Sequence, residues 1–376
     1  MPYADGVPTA STRVFAGVAC AALALAASQG CGTQGASQAA PTAPGASRGT
    51  LPAALATSPV VATREWRWKS VQGIEVETRH WSIRSSLRSA AFTATLPAFY
   101  EAALRHYRTG LVDLPVPARR LESCVFGTRD EWARYAEHRL GDDAATYLRM
   151  GRGGFTSDGE AVLYFIGQRD TLTIAAHEGW HQYSQTTLRN ALPVWLEEGI
   201  ACYMEGFRQA PGAPEPSFLA WRNPERFTEL RAASRQGRIV PLRALLEGSP
   251  QSFLATSRDA QLGYYAQAWA LVHYIRDGEG GRYREGLERL LADAVAGSVP
   301  ERIRASPAIV DGRSRALALS AKAGIWLVLV YLDDDYERFE RGYAAFVDAL
   351  VASNSWDRVM RGESPLGDGL RASSPP

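Results

Sequence analysis

Cysteine is scarce in this chain. Four occur in 376 residues, too few for a fold stapled by disulfides. Net charge is nearly absent: 41 Lys and Arg stand against 40 Asp and Glu, a formal +1. There is thus no basic field for nucleic acid and no acidic field for cationic partners. The N-terminal apolar stretch, residues 14–27, has 14 residues, short of the roughly 20 that an ordinary spanning helix needs. Histidine is rare too, with six in all. Aromatic residues are abundant, with 10 Trp, 15 Tyr and 12 Phe in a chain 46% hydrophobic and 22% charged. That composition supports a sizeable core and excludes wholesale disorder, a collagen-like chain and a coiled-coil rod. The length allows one large domain or two modest ones, and no internal repeat is present.

Arg13 precedes the apolar stretch and small residues follow it, the layout of a secretory signal. The stretch ends in Ser28-Gln29-Gly30-Cys31. A cysteine directly after small residues and before a flexible tether resembles a bacterial lipobox. Residues 1–31 are therefore expected to be a lipoprotein-type signal. Cys31 would carry the lipid, and the protein would sit at the cell envelope, anchored to a membrane. The alternative is plain cleavage near 27–30 and a secreted or periplasmic protein. Residues 32–62 are Ala, Pro, Ser, Gly and Thr with Arg48 the only charge, a flexible tether. The folded part is expected over 63–361, followed by a frayed Gly/Ser/Pro-rich tail, 362–376.

Periodicity within the folded part predicts strands over 73–81, 120–126 and 160–167, and helices over 87–107, 130–139, 171–187 and 193–207. Residues 150–159 read as a Gly-rich loop and 208–223 as a Pro-rich one. Helical spacing then dominates: a short helix over 240–248, then 262–276, 282–295, 313–331 and 334–352. The class expected is α+β, a mixed β/α part to about residue 207 and a mostly helical part after it.

His177-Glu178-Gly179-Trp180-His181 is an H-E-x-x-H on a predicted helix. The two imidazoles lie one turn apart on one face and can share one Zn²⁺. Glu178 is rotated off that face and can take the proton of an attacking water. The strand at 160–167 lies just upstream, and as an edge strand it would bind an extended peptide by strand addition. A second helix follows with Trp195-Leu196-Glu197-Glu198-Gly199. Folded back on the first, it would offer Glu198 as third ligand, leaving one position open. The bland reading is a buried, hydrogen-bonded histidine pair beside a solvated acidic helix start at Glu197 and Glu198.

HEGWH followed by LPVWLEEGIACYMEG resembles the gluzincin zinc metallopeptidases, specifically the bacterial peptidase MA-like domains. Residues 239–246 and 264–274 resemble that family's "PL-x-x-LL" segment and aromatic helix. The likeness is good over about 154–275. It implies a zincin-like fold, Zn²⁺ held by His177, His181 and Glu198 rather than Glu197, Glu178 as general base, and a peptide or protein substrate. No G-x-M-E-N stretch is present, which argues against an aminopeptidase.

Tyr265, Trp269 and His273 recur at i, i+4, i+8. Tyr265 or His273 is a candidate oxyanion donor, with core packing as the plain alternative. Glu205 is a candidate outer partner of the ligands, or else a surface carboxylate. Cys202 lies one turn after Glu198, and Cys124 and Cys202 are a candidate pair. Gly179 is unusual in mid-helix, either letting another backbone approach the metal closely or marking a decayed site. Two rival functions stand beside a peptidase. One is a non-catalytic zincin-fold binding or scaffold protein. The other is a zinc hydrolase acting on a non-peptide amide. Oligomeric state is not legible.

Overall fold

The computed structural model describes residues 59–149, 153–320, 324–352 and 356–366. The signal stretch, Cys31 and nearly all of the tether lie outside the described residues. Among them, no helix is long and apolar enough to cross a membrane.

The protein is mixed α+β. Strands β1 (Val60–Trp68) and β2 (Val71–Thr78) form an antiparallel hairpin, and β3 (Trp81–Ser85) continues the meander. The single strand expected over 73–81 is therefore two strands with a turn, and β1 begins at Val60, inside the stretch read as tether. Helices α1 (Ala90–Thr93) and α2 (Leu96–Thr109) cross over to β4 (Leu121–Phe126), parallel to β3. Helix α3 (Arg129–Leu140) opens on a Thr128–Glu131 capping box, which satisfies two otherwise unpaired backbone donors. It is followed by α4 (Ala144–Leu148), β5 (Gly154–Ser157) and β6 (Glu160–Tyr164).

The sheet order is β1-β2-β3-β4-β6-β5. This corrects the expected edge: β6 is interior, parallel to β4 and antiparallel to β5, and the edge strand on that side of the sheet is β5. Four residues beside glycines carry little strand signal of their own. Pairing with β6 is what makes this segment extended.

Alternation along β4, β5 and β6 sorts their side chains onto two faces. Phe155 and Tyr164 meet Trp132 of α3, whose Nε1–H donates to the Val162 carbonyl at 3.3 Å. On the other face lies α5 (Gln168–Thr187), where the Ser123 hydroxyl donates to Gln182 Oε1 at 3.3 Å. Helix α5 is buried all round from Thr171 to Ser184, as suits a helix enclosed by sheet and helices. The next helix, α6 (Val194–Met204), is likewise wholly buried from Trp195 onward.

Helix α6 stops at Met204, short of the expected 207, and strands β7 (Phe207–Arg208) and β8 (Ser217–Phe218) form a small hairpin that takes in its last expected residue and part of the expected Pro-rich loop. Next come α7 (Pro224–Arg235), α8 (Leu242–Glu247), α9 (Pro250–Leu254) and α10 (Arg258–Asp277). The remainder is α11 (Arg284–Ala296), α12 (Val299–Ala305), α13 (Gly312–Ala318), α14 (Gly324–Leu327), a π-helical turn at Val328–Leu332, α15 (Tyr336–Ala352) and α16 (Trp356–Arg361). The helix expected over 313–331 is thus broken. The break follows Ala318, where Leu319 leaves helical geometry, and at Gly324 a Cβ would lie 2.7 Å from the Leu246 carbonyl oxygen, so α14 docks closely on α8. Buried apolar residues from both parts form one continuous cluster, so the change near residue 207 is not a break in the core.

Candidate metal centre

The centre is built where α5 and α6 meet under the sheet edge. Helix α6 is drawn tight against α10 at Gly199, where a Cβ would lie 2.7 Å from the Ala268 carbonyl oxygen. That packing brings Glu198 over the histidine face of α5. Glu198 Oε2 lies 3.4 Å from His177 Nε2 and 3.6 Å from His181 Nε2. The three side chains are at most 1% exposed, and their donor atoms lie within 4.8 Å of one another.

The spacing tests whether a metal fits. A tetrahedral ion bound at about 2.0–2.1 Å sets neighbouring donors about 3.3–3.4 Å apart. A direct charged hydrogen bond would be about 2.7–2.9 Å. The observed 3.4 and 3.6 Å match the former. Chemistry agrees, since the group offers two imidazole nitrogens and one carboxylate oxygen. This buried His/His/Glu cluster offers an ion three converging donors. Burial acts to raise the Glu198 pKa, but the adjacent His177 and His181 outweigh it and draw the carboxyl down to about 2.

The outer nitrogens are also held. His177 Nδ1 donates to Glu205 Oε1 at 2.8 Å, and His181 Nδ1 donates to Glu197 Oε1 at 2.9 Å. An ionised carboxylate only accepts, so each ring carries its proton on Nδ1 and turns the Nε2 lone pair toward Glu198. Glu197 and Glu198 thereby straddle His181, one at each nitrogen. The solvated acidic helix start is ruled out, since Glu197 is 5% and Glu198 0% exposed. Glu197 also accepts from the Ser184 hydroxyl.

Glu178 stands beside the donor group, 2% exposed. Its Oε2 accepts from the Thr156 hydroxyl at 2.8 Å. Thr156 comes from the edge strand β5, on the face turned to α5. Burial dominates the Glu178 environment and holds its pKa above the usual carboxylate range, despite His177, His181 and Thr156 pulling it down.

Gly179 admits a side chain, not a backbone. The Tyr107 hydroxyl donates to the Ala176 carbonyl at 2.8 Å, and a Cβ at 179 would lie 2.4 Å from the Tyr107 hydroxyl oxygen. Gly179→Ala is therefore expected to destabilise by about 1–3 kcal/mol through overpacking, although alanine favours helix by about 1 kcal/mol. Urea unfolding of the variant, alone and with Tyr107→Phe, checks this. Stabilisation by Gly179→Ala alone would contradict the packing account.

Tyr265 is fully buried, its ring centroid 6.1 Å from that of His177 and its face 5.0 Å from the Arg226 guanidinium. His273 lies elsewhere, stacked 3.5 Å from Trp221 and packed on Tyr203 and Trp269. That aromatic setting gives it the core role. Burial foremost lowers its pKa. Cys124 and Cys202 are both buried free thiols, not the candidate pair. Cys202 groups with His177 and Glu205, but Arg226 already sits 3.0 Å from Glu205. A guanidinium there opposes a second cation.

Glu205 is 3% exposed and belongs to the centre, which resolves the two readings of that residue. Thr156, Asn223 and Arg226 were not foreseen. Thr156 fell in the segment read as loop. Asn223-Pro224 carries a helix-start signal, an N-cap residue followed by proline, and it does open α7.

A family model, DUF1570, described as a protein of unknown function, matches residues 171–291. The matched stretch is about a third of the chain and includes His177, Glu178, His181, Glu198, Glu205, Arg226 and Tyr265. No curated protein matches the chain.

Proposed function

We propose that this protein is a zinc-dependent metallopeptidase of gluzincin type, with Zn²⁺ held by His177, His181 and Glu198. The observation that carries the reading is the pairing of that buried donor group with a separate carboxylate, Glu178, fixed beside it by Thr156. A scaffold needs no base held at that place. When bound, zinc supplies a Lewis acid that polarises a carbonyl and acidifies water. The chain's own residues do the rest. Glu178 takes a proton from the attacking water and delivers it to the departing amine. Its place beside the donor group, fixed by the Thr156 hydroxyl, suits both steps. Strand β5 has β6 as its partner in the sheet, and its other edge suits an extended peptide. Tyr265, beside His177, is the candidate for holding the developing oxyanion.

Incubation of the whole chain with a mixed peptide pool tests this. Hydrolysis is expected, lost on chelation and restored by Zn²⁺. Hydrolysis that persists after complete metal removal would contradict a metal-dependent peptidase.

A further inference from the structure

We propose that Arg226 is a positioning residue of the metal centre, acting through Glu205 on His177. The inference rests on the reading of His177, His181 and Glu198 as metal ligands.

Arg226 is 1% exposed. A guanidinium taken wholly out of water is retained only when its donors are matched. Here Nε donates to Glu205 Oε2 at 3.2 Å, Nη2 to Glu205 Oε1 at 3.0 Å, and Nη1 to Glu229 Oε2 at 2.9 Å. The first two form a two-pronged clamp, which fixes a carboxylate's plane as well as its charge. Asn223 completes it. Its Nδ2 donates to Glu205 Oε2 at 2.7 Å, while its Oδ1 caps α7 by accepting from the Arg226 backbone N–H. The first turn of α7 therefore both starts a helix and holds Glu205.

Glu205 in turn accepts the His177 Nδ1 proton. The two histidines are thus supported differently. His181 leans on Glu197, which Ser184 holds by a neutral hydroxyl. His177 leans on Glu205, which a buried cation holds. Arg226 also lies on the face of Tyr265. One guanidinium therefore orders both a ligand's partner and the aromatic ring beside that ligand.

The test is the Zn²⁺ dissociation constant of the whole chain, measured against a competing chelator. Wild type is compared with Glu205→Gln, Arg226→Gln, Arg226→Lys and the Glu205→Gln/Arg226→Gln double variant. Apo-protein melting is followed in each. Loss of a partner to a ligating histidine weakens metal binding about 10–100-fold. That range is expected for Arg226→Gln and for Glu205→Gln. The double variant is expected to bind no more weakly than Glu205→Gln alone, because the arginine acts through the glutamate. Arg226→Lys, which keeps the charge but not the fork, is expected to recover part of the loss. A purely structural Arg226 would lower the melting temperature and leave the constant unchanged, and that result overturns the proposal. So does an Arg226→Gln effect that persists undiminished in the Glu205→Gln background. If Arg226→Gln does not fold, Arg226→Lys decides, and an unchanged constant there is equally fatal. Wild type that binds no Zn²⁺ overturns the ligand reading itself and, with it, this inference.

Discussion

Glu178→Gln is expected to keep the fold and the bound metal, while peptide hydrolysis falls by about 10²–10⁴, the usual worth of general-base assistance. Glutamine has the same shape and still accepts from Thr156, whose hydroxyl now bonds Glu178 Oε2 at 2.8 Å. The buried site tolerates the change because a neutral amide replaces a carboxylate whose ionised form burial already disfavours. What the variant lacks is a group able to take a proton. Metal content and hydrolysis must be measured on the same preparations. Equal hydrolysis by wild type and variant would show that Glu178 is not the base. No hydrolysis by either, with metal in both, would favour the scaffold or a non-peptide amide substrate.

The second large effect concerns the carboxylates of α6. Glu198→Gln is expected to abolish measurable Zn²⁺ binding, whereas Glu197→Gln should weaken it by about 10–100-fold, as for other residues supporting a metal-bound histidine. The difference follows from geometry. Glu198 lies 3.4 and 3.6 Å from the two Nε2 atoms that face the centre. Glu197 reaches only the rear Nδ1 of His181, at 2.9 Å. Affinity measurements on the two variants check the order. Equal losses, or the reverse order, would place the third ligand wrongly.

The candidate ligands were legible because helical periodicity is local. His177 and His181 share a face by their spacing alone, and the structure keeps both on α5. The choice of Glu198 over Glu197 came from family resemblance, since spacing alone left both glutamates near the centre. The supporting residues were not legible. Thr156 lies in a four-residue strand, β5, whose extended form comes from pairing with β6 and not from its own propensity. Arg226 and Glu205 are 21 residues apart and meet only because α7 docks beside the end of α6. Gly179 left two readings open in the sequence. The deciding contact is with Tyr107, 72 positions earlier in the chain.

The claim on which the whole account depends is that His177, His181 and Glu198 hold one metal ion. Metal analysis of the whole chain after reconstitution with Zn²⁺ and removal of excess tests it most directly. Close to one zinc per chain is expected in wild type and nearly none in His181→Ala. Wild type that stays metal-free after reconstitution would contradict it.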